Sequence, residues 1–220
     1  MAKLESELPA KSARVAAFIS GFDLRNAPAQ VIDVAETAFI DTIGVMLAGS
    51  YEPAAKIVCD MIAAEGAGPV ASIVGRGLRT SAQNAALANG TATQALDFDL
   101  SFMSGQSAAA VIPALLPLAE TVNASARDLI SAFIVGGEIA ARVVRSFPTL
   151  SSEGGWHGAG IVGAIAAAAA CAKLTNAPAE SIPAILGIGA SMASGLGENF
   201  GTMTKPLHPG MAARNGMMAA

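Results

Sequence analysis

Aromatic residues make up only 5% of this 220-residue sequence, and charged residues only 14%. The hydrophobic share is 53%. Scarce charge with abundant apolar residues excludes an intrinsically disordered chain, which has the reverse composition. Basic residues number 13 against 17 acidic ones, and no basic run occurs. Nucleic-acid binding needs a basic stripe, so no nucleic-acid partner is expected. The two cysteines, Cys59 and Cys171, cannot build a disulfide framework and stand in no metal-ligand spacing. Both lie in apolar stretches and read as small core residues. A membrane-spanning helix needs about 18 or more consecutive apolar residues. The best candidate, Gly158 to Ala172, is shorter and is bounded by His157 and Lys173. The run from Ala108 to Ala119 carries Pro113 and Pro117. No membrane partner is therefore expected. The N-terminus, with Lys3, Glu5, Glu7 and Lys11, lacks the pattern of a signal peptide, and a cytoplasmic protein is expected. There is no Walker A sequence and no HExxH motif. Gly187-Ile188-Gly189 and Gly195-Leu196-Gly197 follow no strand. No metal and no cofactor are expected.

What is present is helical patterning built from small residues, with a mean hydropathy of +0.52. From Pro28 to Ala48, the residues Val31, Val34, Ala35, Ala38, Phe39, Ile43, Met46 and Leu47 form one apolar stripe. Asp33, Glu36, Thr37 and Asp41 fall opposite, which predicts an amphipathic helix on a core. A short helix from Pro53 to Glu65 follows, ended by Gly66, Gly68 and Pro69. Val70 to Val74 is the one convincing strand-like run. Thr80 or Ser81 can cap a helix through Leu87, and Ala108 to Val122 reads as a helix bent by its prolines. Ser125 and Asp128 form a capping-box pattern for a helix to about Val144, with Glu138 and Arg142 four apart on it. An Ala-rich helix from about Gly158 to Leu174 comes next, then another to about Leu196. Gly197 to Gly210 reads as a loop, and a last helix starts near Met211. That helix carries no C-cap signal, which predicts that the chain belongs to a longer protein. The fold class expected is all-α, one bundle-like helical domain over residues 1–220, incomplete at its C-terminus. Ala and Gly faces let helix axes approach closely.

Two histidines occur, His157 and His208, each beside Gly or Pro at a helix entrance. The positive end of a helix favours a neutral imidazole and a bound anion, which suits proton transfer; a structural role is the alternative. Trp156 reads equally as pocket wall or core. Lys205 stands among Met203, Pro206 and Leu207, where partial burial would require an anion such as a substrate carboxylate. Asp97 and Asp99 in a loop can cap a helix, stay solvated, bind a cation or orient catalytic groups.

Several ordered motifs resemble the MmgE/PrpD family, which includes 2-methylcitrate dehydratase, cis-aconitate decarboxylase and iminodisuccinate epimerase. They are Asp41-Thr42-Ile43-Gly44, Asn84 to Thr91, Ala95 to Asp99, Val111 to Leu116, Gly137 to Arg142, Gly155-Trp156-His157 and, most specific, Thr204-Lys205-Pro206-Leu207-His208-Pro209-Gly210. The resemblance implies a helical domain followed by a smaller α+β lid, an active site between the two, and homodimers. It implies catalytic roles for Asp97, His157 and Lys205, and substrate-binding roles for Ser101, Gln106 and His208. It also implies a small polycarboxylate as substrate and a lyase reaction, by dehydration or related elimination. An epimerase or isomerase, or a non-catalytic homologue, is the alternative. The sequence departs from the family pattern at Gln106 and Gln94, each where a His is usual. It departs again at Leu100 in place of an Asp, and at Gly158-Ala159 in place of Pro-Thr.

Overall fold

A computed structural model describes residues 2–101, 107–151 and 153–220, with side chains from residue 11 onward. The all-α expectation holds: among the described residues there are nine α-helices and one hairpin of two three-residue strands. They run in the order α1 (Ala2–Gly21), α2 (Ala29–Gly49), α3 (Pro53–Glu65), β1 (Ala71–Ile73), β2 (Leu78–Thr80), α4 (Ala82–Gln94), α5 (Ala108–Val122), α6 (Ala126–Ser146), α7 (Gly158–Leu174), α8 (Ile182–Ser191) and α9 (Leu207–Ala219).

The centre is α7. Ala164, Ala166 to Ala170 and Cys171 are completely buried, because α5, α6, α8 and α9 pack around it. A helix apolar on every side must be covered on every side. Burial pushes the Cys171 thiol up to about 12, and the Cys59 thiol is raised for the same reason. Both are core residues, as their contexts predict.

Close approach is built at glycines. A Cβ on Gly90 of α4 would stand 2.7 Å from the Cα and 2.9 Å from the N of Gly210 on α9. One on Gly216 would stand 2.5 Å from Ala167 Cβ and 2.7 Å from Ala168 N of α7. Helix α9 is thus wedged between α4 and α7, with backbone against backbone.

Helix α4 is buried almost throughout, including Asn89, Thr91, Thr93 and Gln94. Buried polar groups need partners. Thr91 and Thr93 donate to the carbonyls of Leu87 and Asn89, each at 2.8 Å. Asn89 Oδ1 accepts from Val74 N at 2.9 Å, and its Nδ2 donates to Ser72 O at 3.2 Å. That amide ties the hairpin to α4.

Several boundaries differ from the sequence reading. Helix α1 has no counterpart there. Strand β1 is trimmed to Ala71–Ile73 and pairs antiparallel with an unforeseen β2, Ala71 opposite Thr80. Helix α8 stops at Ser191, not near Leu196. Helix α9 begins at Leu207, so His208 and Gly210 are helical rather than in a loop. The buried face of α2 is Ala35, Ala38, Phe39, Thr42, Val45, Met46 and Gly49, while Val31, Val34 and Leu47 are exposed. The face is rotated because Gly49 comes into backbone contact with Ala92 of α4.

The capping box forms as predicted. Asp128 N donates to Ser125 Oγ at 3.2 Å, and Ser125 N donates to Asp128 Oδ2 at 3.0 Å. Ser125→Ala is expected to lower stability by about 1 kcal/mol in urea unfolding, with Ser125→Asp close to the parent. Equal stability of the Ala variant would contradict a working cap. No helix among the described residues is long and apolar enough to cross a membrane.

Candidate functional site

Two chain segments cross where α7 and α9 begin. Trp156 and Leu196 form an antiparallel bridge. His157 N donates to Gly195 O at 2.9 Å, and Gly197 N donates to Gly155 O at 2.7 Å. Gly195 adopts φ +134, and a Cβ there would meet the His208 ring at 3.1 Å. Glycine is required on both counts. The clamp sets His157 at the N-cap of α7, opposite His208 in the first turn of α9.

Both imidazoles are buried, and their Nδ1 atoms lie 3.0 Å apart. Phe200 meets the His157 ring edge-on, with centroids 5.0 Å apart. Burial lowers His157 to about 4, helped by the nearby His208 and Lys205, and burial lowers His208 as well. Both rings are therefore neutral at neutral pH. His157 Nε2 is buried without a hydrogen-bond partner among the described residues.

Lys205 Nζ lies 5.6 Å from the centre of the same Phe200 ring and 2.8 Å from Asp97 Oδ1. Its side chain is 21% exposed, which matches the partial burial read from its apolar neighbours. The anion it meets among the described residues is Asp97. An ammonium has three donors, so two remain for further acceptors.

Asp97 follows α4 with a left-handed backbone, φ +57. Gln94 Nε2 donates to Asp97 Oδ1 at 3.3 Å and to Asp99 Oδ1 at 3.2 Å. Asp99 is 6% exposed, and its Oδ2 has no partner among the described residues. Burial pushes its carboxyl up to about 7, and the Asp97 charge adds to the rise.

Of the six candidate residues, the fold links four: His157 and Lys205 meet Phe200, His208 meets His157, and Asp97 pairs with Lys205. Ser101 is exposed and lines a cavity of about 400 Å³ with Val31, Val34, Ser107 and Phe133; none of the other described candidates lines it. Gln106 lies outside the described residues. Trp156 is 39% exposed, closer to a rim than to a core. Sequence reasoning missed Gln94 as a bridge, Asp99 as the buried acid of its pair, and Phe200 as the shared ring. The Asp97-x-Asp99 spacing was a signal for the second; Phe200 carried none.

In one helical domain, two neutral imidazoles meet each other and an ammonium meets a carboxylate, with one aromatic ring shared by His157 and Lys205, a set chemically able to move a proton beside an anion. Residues 13–220 match the MmgE/PrpD N-terminal domain, and the chain belongs to that family. It is 32% identical over 209 residues to the cis-aconitate decarboxylase-like protein oryM of Aspergillus oryzae, covering 88% of this chain and 42% of that protein. It is 29% identical over 231 residues to a cis-aconitate decarboxylase of Aspergillus terreus, covering 99% and 47%. To the Homo sapiens cis-aconitate decarboxylase it is 28% identical over 209 residues, covering 92% and 44%. The chain spans less than half the length of these curated relatives.

Proposed function

We propose that this chain is the helical domain of a lyase that acts on a small di- or tricarboxylate, working as a cytoplasmic homodimer completed by a lid. His157 transfers the proton, and Lys205 holds a substrate carboxylate. Asp97 keeps the ammonium in place.

The observation that carries this reading is the convergence on Phe200. An imidazole and an ammonium share one ring, at 5.0 Å and 5.6 Å from its centre. Elimination next to a carboxylate builds negative charge as a proton moves. A fixed cation beside a neutral imidazole serves both needs. The names of the relatives make cis-aconitate the first compound to test. Citrate and 2-methylcitrate follow on chemical similarity. Exposed apolar side chains such as Val34 and Ile40 offer surface for a second copy or a lid.

The test is turnover of these three acids by the polypeptide that the complete gene encodes. Lys205→Ala is expected to raise KM about tenfold or more, and His157→Gln to lower kcat about a hundredfold. Absence of both turnover and binding for every polycarboxylate tried would sink the proposal.

A further inference from the structure

The two histidines face each other through like atoms, Nδ1 to Nδ1 at 3.0 Å. Two lone pairs cannot make that contact, so one Nδ1 carries a proton and the other accepts it. A doubly protonated ring is excluded near neutral pH, because burial lowers both groups and Lys205 adds a like charge at His157. Two neutral arrangements remain. If His208 donates, His157 carries its proton on Nε2, which is buried without a partner among the described residues. If His157 donates, Nε2 is a bare lone pair instead.

One physical fact separates these arrangements: an orphaned buried N–H is rarer in folded proteins than an under-satisfied acceptor. The first turn of α9 fixes the His208 backbone, whose N–H donates to Lys205 O at 3.1 Å. The His208 ring is held against Gly195, so the acceptor is rigidly placed.

We propose that His208 is a positioning residue: its Nδ1 accepts from His157 Nδ1–H and so fixes His157 with a bare Nε2, a proton acceptor. This rests on the reading of His157 as the group that transfers the proton. It deepens that reading by giving the direction of transfer. The substrate then carries a C–H bond next to a carboxylate. In the step, that C–H breaks, the Nε2–H bond forms, and the electron pair stays on carbon, delocalised into the carboxylate. In this role His208 acts through His157, where the family resemblance implies substrate binding.

The sequence contains two histidines, so 15N-imidazole labelling of this chain gives two rings. His157→Gln assigns them by removing one. Near neutral pH, His157 is expected to show a protonated Nδ1 and a bare Nε2, and His208 the reverse. In His208→Leu, which removes the acceptor, His157 is expected to change to the Nε2–H form. In the complete gene product, His208→Leu is expected to lower kcat about a hundredfold while KM changes little. A parent spectrum with His157, once assigned, protonated on Nε2 overturns the proposal whatever the His208 variant does. An unchanged His157 tautomer in His208→Leu overturns it as well. If the tautomers are as stated but His157→Gln keeps full turnover, the functional reading falls and the tautomer assignment stands.

Discussion

Gly210→Ala is expected to lower stability by about 3 kcal/mol or more, near the upper end of what overpacking costs. The new Cβ would meet Leu87 O at 2.5 Å and Thr91 N at 3.0 Å, both backbone atoms of α4. Backbone in a buried helix cannot rotate away as a side-chain tip can. The helices must part instead, and Gly90 and Gly210 lose their contact. The displacement would also reach the site, because His208 lies two residues before Gly210 and Lys205 pairs with Asp97 just beyond α4. Gly137→Ala is the control. Nothing lies within 4 Å of a Cβ there, so it should be neutral or stabilising by up to about 1 kcal/mol. Urea midpoints and slopes for the two variants decide the matter. Equal stabilities would mean that α4 and α9 are not packed backbone to backbone.

Asp99→Asn is expected to gain stability relative to the parent as pH rises. The folded carboxyl is pushed up to about 7 from 3.8, chiefly by burial. The folded chain therefore holds a proton that the unfolded chain has released. Parent stability is full below the unfolded value, falls as pH climbs between the two values, and levels off above the folded one. Asn does not titrate, so the difference between variant and parent follows that window. It should widen by about 3 kcal/mol between about pH 5 and pH 8. The Asn Oδ1 can still accept from Gln94, and its buried amide adds a pH-independent offset. Thermal or urea unfolding at several pH values reads the slope. A difference that stays flat with pH would show that Asp99 ionises as an ordinary carboxyl.

The helices with clear stripes or strong caps were legible. The Ser81 and Ser125 caps, Pro53 at the start of α3 and the Ala-rich α7 all express local chemistry, in side chains a few residues apart. Helix α1 escaped notice because its buried face among the described side chains is slight, with Ala16 and Ile19 as its fully buried residues. The end of α8 was misread because the apolar pattern continues past Ser191, while Gly195 turns with φ +134. Val31 and Val34 fit a stripe of α2, but the close contact at Gly49 turned another face inward.

For the site, the residue types were legible and their pairing was not. The motifs singled out Asp97, His157, Lys205 and His208. They assigned a substrate anion to Lys205, where the fold supplies Asp97 first. They also left Asp99 open, although its burial pushes its carboxyl up to about 7.

By itself, the sequence determined an all-α chain with no apolar run long enough to span a membrane, its family, and four residues, Asp97, His157, Lys205 and His208, that the fold links in two pairs. Those properties rest on composition, on periodicity within one helix, and on motifs read along the chain. The tertiary structure alone decided that the histidines meet through Nδ1, 51 residues apart in sequence. It also decided that Gln94 joins two carboxylates and that Asp99 lies out of water. The histidine contact follows from how closely the starts of α7 and α9 approach, which glycine against backbone permits and no local pattern records.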